Sequence, residues 1–405
     1  MWVEGGLVNS AAEAILEVAI RKRKEVIKRI EAIRSLGLEE FVRDSWVQVD
    51  IKSVNPPSVA GVDGGSGRVD FQGFTLYGVT GVATNYSGFN SSKYLIRSTY
   101  VLADVDILTP PKVMGRVDLY REIMEGKVGT LTVVSGTYLV LMDGSLKSIL
   151  ITPTPLAGEA LPTAMRKALN YFGNEVFIKL REVLSSTLGD YELLRKSPLA
   201  YREVLKDHVL AGEDLFPAVV FIEYVEKLEV FRRLLANALL LKGSKVIFIS
   251  KSGRSQTYFS DLSKKLGREL PADITLFQYL TRGAGYAVPK LDPRPIKYMP
   301  GISYLKEFYM KVRVAETYVR LEDGGPVLKV EVPYVGDSVT NSRLEADIKS
   351  LLPLLKAISP KGYPYPLLEA HEVSHVSRSV LSEVAHAYGL TPYSTGREVV
   401  EEWLI

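Results

Sequence analysis

The sequence predicts an α/β protein with central strands buried beneath helices. Residues 57–107 are rich in β-branched and aromatic residues and punctuated by glycine. Two further runs, "TYLVLMD" at 137–143 and "SKVIFIS" at 244–250, are continuously apolar, as strands buried on both faces are. Helical patterns separate them, which is the alternation expected of an α/β fold.

The elements follow in order. Residues 10–45 read as one long N-terminal helix. Ser10 and Glu13 have capping-box spacing, and Ile15, Val18, Ile20, Val26, Ile27, Ile30 and Ile33 recur near helical spacing. The basic cluster at 21–29 reads as a solvated helix face. From 57 to 107, "SVAGVD", "VDFQGFTLYGVTGVAT" and "YLIRSTYVLADVDIL" predict a meander. Within it, the Asp-Gly of "SVAGVDGGSG" is a hairpin signal, which places the turn at Gly64 to Gly67. Residues 115–127 predict a helix and 137–143 a strand. Residues 155–210 are helical with loops, and 219–243 form a long amphipathic helix closed by Gly243. A strand at 244–250 runs into the basic loop "KSGRSQTYF". Residues 306–335 predict two or three antiparallel strands with "EDGG" in a turn. A helix at 340–357, a loop at 359–366 and a final helix at 367–388 complete the chain.

Length alone suggests about two to three domains. No linker is evident, so the pattern favours one elaborated domain. Its parts are an N-terminal helical extension (1–50), a main domain (51–390) with a helical insertion near 155–215, and a tail (391–405). Composition is that of a soluble globular protein, and the net charge of +3 neither requires nor excludes nucleic acid. Cysteine is absent. That excludes disulfides, cysteine-ligated zinc, iron–sulfur clusters and thiol catalysis. A bound metal must then take Asp, Glu, His or backbone oxygen, a donor set suited to Mg²⁺ or Mn²⁺. No apolar run approaches the roughly 18 residues of a membrane helix. "RKRK" follows the first apolar residues, the reverse of a secretory signal. A cytoplasmic protein with no membrane partner is expected.

Asp63 and Asp143 form a pair by motif. "GVDGGS" and "LMDGSL" each place Asp-Gly after an apolar run, with Ser close behind. Two such strands lying side by side would bring two carboxylates together, which repel unless a cation binds. Two-metal phosphoryl-transfer sites use acidic residues in this way, to hold ions about 3.5–4 Å apart. A second motif is "HEVSH" at 371–375, which matches the H-E-x-x-H of zinc proteases. That reading needs a third ligand from Glu383 or His386 and leaves the Asp pair unexplained. The alternative is two partly exposed histidines on one helix face. "DGGSGR" also has the form of the phosphate hairpin in actin–hexokinase-type phosphotransferases, but no second phosphate loop accompanies it.

Taken in order, these features resemble the NurA nucleases, the partners of the HerA helicase–translocase. The resemblance covers roughly residues 55–390, and "LMDGSL" and "GYPYPLLEAH" are its most specific pieces. It implies an RNase H-like core with a mixed central sheet, and a Mn²⁺-dependent (or Mg²⁺-dependent) deoxyribonuclease. The implied activities are 5′-to-3′ exonuclease on single- and double-stranded DNA ends and endonuclease on single strands. Their implied setting is end resection for homologous recombination, as a homodimer docked on HerA. Carried over by residue, the resemblance makes Asp63, Asp143 and His371 metal ligands and places Tyr363 at the same site. Glu122 and Glu125 remain alternatives for an acidic ligand on the intervening helix, with Glu125 favoured. Lys251 is placed to meet a scissile phosphate, with a solvated loop lysine as the alternative reading, and Arg254 to bind the DNA backbone. The imidazole softens an otherwise oxygen donor set, which favours Mn²⁺. Two rival functions stay open, an ATP-dependent phosphotransferase and a non-catalytic DNA-end-binding subunit.

Overall fold

The computed structural model describes residues 11–34, 36–90, 93–109, 113–151, 160–208, 215–240, 244–292, 301–336 and 339–390. Helix α1 (Ala11–Arg34) and the short α2 (Glu39–Asp44) lead to β1 (Trp46–Gln48). Three long strands follow, β2 (Ser58–Asp70), β3 (Thr75–Asn90) and β4 (Lys93–Leu108). Helix α3 (Val113–Val134) precedes β5 (Leu139–Asp143) and the short α4 (Leu146–Ile151). A helical excursion, α5 (Leu161–Phe172), α6 (Glu175–Thr187), α7 (Tyr191–Lys196) and α8 (Ala200–Leu205), returns through α9 (Phe216–Leu240) to β6 (Lys245–Ser250). Then come α10 (Ser260–Leu266), α11 (Asp273–Leu280), β7 (Gly285–Ala287), β8 (Lys290–Asp292) and α12 (Ser303–Met310). The chain ends with β9 (Val312–Arg320), β10 (Val327–Val335), α13 (Asn341–Ala357), α14 (Tyr365–Ser374) and α15 (Arg378–Ala387).

One mixed sheet runs in the order β1-β7-β9-β10-β6-β5-β2-β3-β4, with β8 paired to β9. The β2–β5 and β5–β6 pairs are parallel, and the other pairs are antiparallel. The central strands alternate between two cores, as a period of two requires. Val62, Val140, Met142 and Phe248 pack with Tyr120 and Ile123 of α3 and Phe221 and Leu228 of α9. Val59, Leu139, Leu141 and Ile247 pack on the other face with Ile348 and Leu352 of α13 and Leu367 of α14. Both faces of β5 and β6 are thus covered, which explains their unbroken apolar sequence. Among the described residues no helix is long and apolar enough to cross a membrane.

Several expectations change. Gly64 to Gly67 are not a turn. They lie inside β2 and pair with β3 from Gly81 to Gly78, and the chain reverses at residues 71–74. The glycines are there for packing. A Cβ at Gly61 would lie 2.1 Å from the Pro366 carbonyl oxygen, and one at Gly65 would lie 1.7 Å from that of Ser374. Both obstacles are backbone atoms of α14, so that helix rests directly on the bare face of β2. The "KEFYM" part of the expected strand at 306–314 closes α12 instead. The expected final helix breaks at His375, whose φ of −62° and ψ of 122° are extended, and α15 starts afresh with Ser377 as its cap. Helix α14 begins at Tyr365, inside the expected loop. The N-terminal helical region divides into α1 and α2, with a turn between them. Ser10, Gly243 and the 391–405 tail lie outside the described residues, as do 152–159 and 209–214 of the insertion.

Gly61→Ala should therefore destabilise the protein by at least the roughly 1–3 kcal/mol typical of overpacking. Urea unfolding of the variant checks this, and wild-type stability would show that α14 can lift off β2 without cost.

Candidate metal centre

Parallel register decides where the two aspartates meet. Val62 of β2 is level with Met142 of β5, so the next residues, Asp63 and Asp143, stand side by side. They follow in sequence residues that face the α3–α9 core, so both project toward α14. Asp143 ends its strand, as its motif suggests. Asp63 does not, because β2 continues to Asp70. Asp63 is 5 % exposed, and its Oδ1 accepts a hydrogen bond from the Gly64 N–H at 2.8 Å. Asp143 Oδ1 accepts from the Gly144 N–H at 3.0 Å.

His371 comes from α14, on the docking surface that the bare glycines of β2 create. Its Nδ1 lies 2.7 Å from Asp63 Oδ2, while its side chain remains 57 % exposed. One donor atom each from Asp63, Asp143 and His371 lies within 4.8 Å of the others. Two oxygens and one nitrogen converging at that spacing fit a divalent cation of the Mn²⁺ or Mg²⁺ type. A neutral imidazole donating from Nδ1 to Asp63 would leave Nε2 with a free lone pair.

The two candidate glutamates on α3 divide cleanly. Glu122 is paired with the buried Lys227 of α9 at 2.9 Å, and the same ammonium donates to the Ile149 carbonyl at 2.7 Å. Glu125 packs instead against Gly64, the residue after Asp63, on the α3 side of β2. A Cβ at Gly64 would lie 2.6 Å from Glu125 Cγ and Oε1, so any larger residue there would displace this carboxylate. Burial, with Asp63, Glu122 and Asp143 nearby, pushes the Glu125 carboxyl up to about 8, against the pull of Arg121. Arg121 Nη1 lies 2.9 Å from Glu125 Oε1. Sequence reasoning did not single out Arg121, although its spacing of four from Glu125 was the available signal. Burial and Asp63 also raise the Asp143 carboxyl, opposed by Lys251, the Gly144 N–H and His371.

Lys251 is exposed just beyond β6, with its Nζ 5.6 Å from the centre of the Tyr363 ring. The Tyr363 hydroxyl is buried with no hydrogen-bond partner, and burial followed by Asp143 and Asp63 drives its acidity well below normal. Arg254 is exposed in the same loop as Lys251. The H-E-x-x-H reading fails on geometry: the helix ends before His375, and His371 faces Asp63. The phosphate-hairpin reading fails because "DGGSG" is a paired strand.

The NurA domain model matches residues 57–376. The chain is similar to the "Probable DNA double-strand break repair nuclease NurA" of Methanocaldococcus jannaschii, at 26 % identity over 92 % of this chain and 88 % of that protein. Its fold matches the crystal structure of NurA with manganese, with a TM-score of 0.62 and 18 % identity over 91 % of this chain and 98 % of the other. The crystal structure of NurA bound to dAMP and manganese matches with a TM-score of 0.60 and 18 % identity, over 89 % and 94 %.

The Glu125 environment sets a pH dependence. Between its ordinary value of 4.5 and about 8, the folded protein holds a proton that the unfolded chain has lost. Stability of the metal-free protein should therefore fall as pH rises through that window. Glu125→Gln should flatten the slope, leaving the contributions of the other raised carboxyls, Asp104, Asp143, Asp273 and Glu369. Thermal melts across the window test this, and an unchanged slope would remove Glu125 as its source.

Proposed function

The chain belongs to the NurA family, and we propose on that premise that it is a divalent-metal-dependent deoxyribonuclease working in double-strand-break repair. The observation that carries the reading is the convergence of Asp63, Asp143 and His371 donor atoms within 4.8 Å. These three residues and Glu125 would hold Mn²⁺, or Mg²⁺ less effectively. The bound cation would supply Lewis acidity for activating water and for the charge on the departing 3′-oxygen.

The protein's own residues supply orientation and counter-charge. The Gly64 N–H and His371 fix the Asp63 carboxylate, and the Gly144 N–H fixes that of Asp143. Lys251 and Arg254 neutralise phosphate charge on the incoming strand. Tyr363 offers a ring for stacking and a buried hydroxyl in need of a partner. Glu122 is occupied by Lys227 and serves the fold.

The same reading extends to 5′-to-3′ exonuclease action on single- and double-stranded ends, single-strand endonuclease action and end resection for homologous recombination. It includes an RNase H-like core with the domain division drawn from the sequence, a homodimer docked on HerA, and a cytoplasmic location.

The test is cleavage of end-labelled single- and double-stranded DNA by the purified protein with Mn²⁺, Mg²⁺ or EDTA, with and without HerA. Cleavage should require the cation. Asp63→Asn and Asp143→Asn should each lower it by more than about 100-fold, beyond the range typical of outer-shell substitutions. Glu125→Gln should lose cleavage with its fold intact, whereas Glu122→Gln should chiefly lose stability by stranding Lys227. No cleavage by the wild type with Mn²⁺ and HerA present would favour a non-catalytic DNA-end-binding subunit.

A further inference from the structure

We infer that Glu331 is a positioning residue for Asp143, acting across the sheet through the turn that follows β5. The inference rests on the reading that Asp143 holds a divalent cation.

Asp143 is the last residue of β5, so the turn after it controls where its carboxylate stands. Gly144 has φ +96°, a conformation that other residues rarely adopt. Its N–H is shared between the Ile249 carbonyl at 2.9 Å and Asp143 Oδ1 at 3.0 Å. Residues 145–147 then begin α4, whose first N–H groups have no partner within the helix. Glu331, on β10, satisfies one of them from outside and holds the Ser145 hydroxyl that accepts from another, the Ser148 N–H at 3.2 Å. Its Oε2 accepts from the Lys147 N–H at 3.1 Å, and its Oε1 accepts from the Ser145 hydroxyl at 2.8 Å. One carboxylate thus grips the chain two and four residues beyond the candidate ligand.

Glu331 is itself held. It is 1 % exposed, and Lys329 bridges its Oε1 at 2.8 Å to Glu316 at 2.9 Å. The Lys147 ammonium returns to the same Glu316 at 3.1 Å and to Asp292 at 3.4 Å. Both the backbone and the side chain of Lys147 are therefore tied to the β8–β10 side of the sheet. A negative charge at a helix start is favourable in its own right. Here it also fixes the turn that carries Asp143 toward Asp63.

The fold supplies its own control. Glu226 of α9 caps α8 in the same manner, accepting from Ala200 N–H at 2.9 Å and Tyr201 N–H at 2.7 Å, and it is paired with Lys127 at 2.7 Å. It too is fully buried, but α8 carries no residue of the acidic centre.

The experiment measures Mn²⁺ binding to the metal-free, full-length protein without DNA, by calorimetry and by the paramagnetic resonance signal of free Mn²⁺. Wild type, Glu331→Gln and Glu226→Gln are compared, each with a thermal melt. Glu331→Gln should weaken Mn²⁺ binding about 10–100-fold, the range for partners that orient a ligand. Glu226→Gln should lower the melting temperature and leave Mn²⁺ affinity unchanged. Should Glu331→Gln fail to fold, Ser145→Ala removes one of the two contacts and should weaken Mn²⁺ binding in the same direction by a smaller factor. Unchanged affinity in Glu331→Gln, or equal losses in the two buried-glutamate variants, would overturn the inference. Absence of Mn²⁺ binding in the wild type would instead overturn the metal reading, and the inference with it.

Discussion

Two like charges set side by side are the constraint on which the rest of this structure depends. Parallel pairing of β2 with β5 makes Asp63 and Asp143 neighbours on one face of the sheet. Asp63 is buried and Asp143 half-buried, and Glu125, on the α3 side of Gly64, adds a third carboxyl whose proton affinity they raise. Such a cluster costs stability unless positive charge or protons offset it. The protein places His371, Lys251 and Arg121 around the cluster. It also holds Glu125 with its proton affinity raised. A divalent cation offsets the same repulsion with the protons released, so the binding of metal and of protons are opposed at this centre.

Buried charge elsewhere in the fold is arranged on a different principle. Helices α3 and α9 face each other over much of their length and bury Glu122, Lys127, Glu223, Glu226 and Lys227. These are matched pair by pair: Glu122 with Lys227, Lys127 with Glu226, and Arg116 with Glu223. Pairing explains why α9 is buried nearly all round, although its sequence reads as an amphipathic helix. It also explains why Glu122 and Glu125, three residues apart on one helix, take different parts. The first finds a lysine across the helix interface. The second finds only carboxylates and an arginine from its own helix. A buried pair contributes little net stability but penalises loss of either partner, so it fixes the register of α3 against α9.

Much of this was legible in the sequence because it rests on local signals. Continuous apolar runs marked β5 and β6, and the repeated Asp-Gly marked both aspartates. What the sequence hid was the purpose of the glycines. "DGGSG" carries the local chemistry of a turn, but the strand continues through it because α14 and Glu125 occupy the space that side chains would fill. Tertiary packing overrode turn propensity there. The H-E-x-x-H match at His371 and His375 was empty for the opposite reason. Their spacing of four places two side chains on one helix face only if the helix persists, and it ends between them at Ser374. The contact between Glu331 and the turn after Asp143 spans more than 180 residues and has no signature within a short sequence window.

The separation of the parts along the chain has a consequence for how the centre becomes ordered. Asp63 and His371 are 308 residues apart in sequence and 2.7 Å apart in space. The contact exists only when α14 lies on β2, and α14 lies there only because Gly61 and Gly65 present no side chain. Asp143 depends on β10 through the α4 turn. Three donors, Asp63, Asp143 and His371, are thus brought together by two separate long-range dockings on one sheet. Neither docking is expected to persist in the unfolded chain, so a cation bound to all three donors stabilises both at once. The centre is therefore a junction of the fold as well as the place where its charge repulsion is concentrated. A substitution that loosens any one docking should be felt in metal affinity before it is felt in overall structure, because the donors must meet within ångströms while the helices need only stay packed.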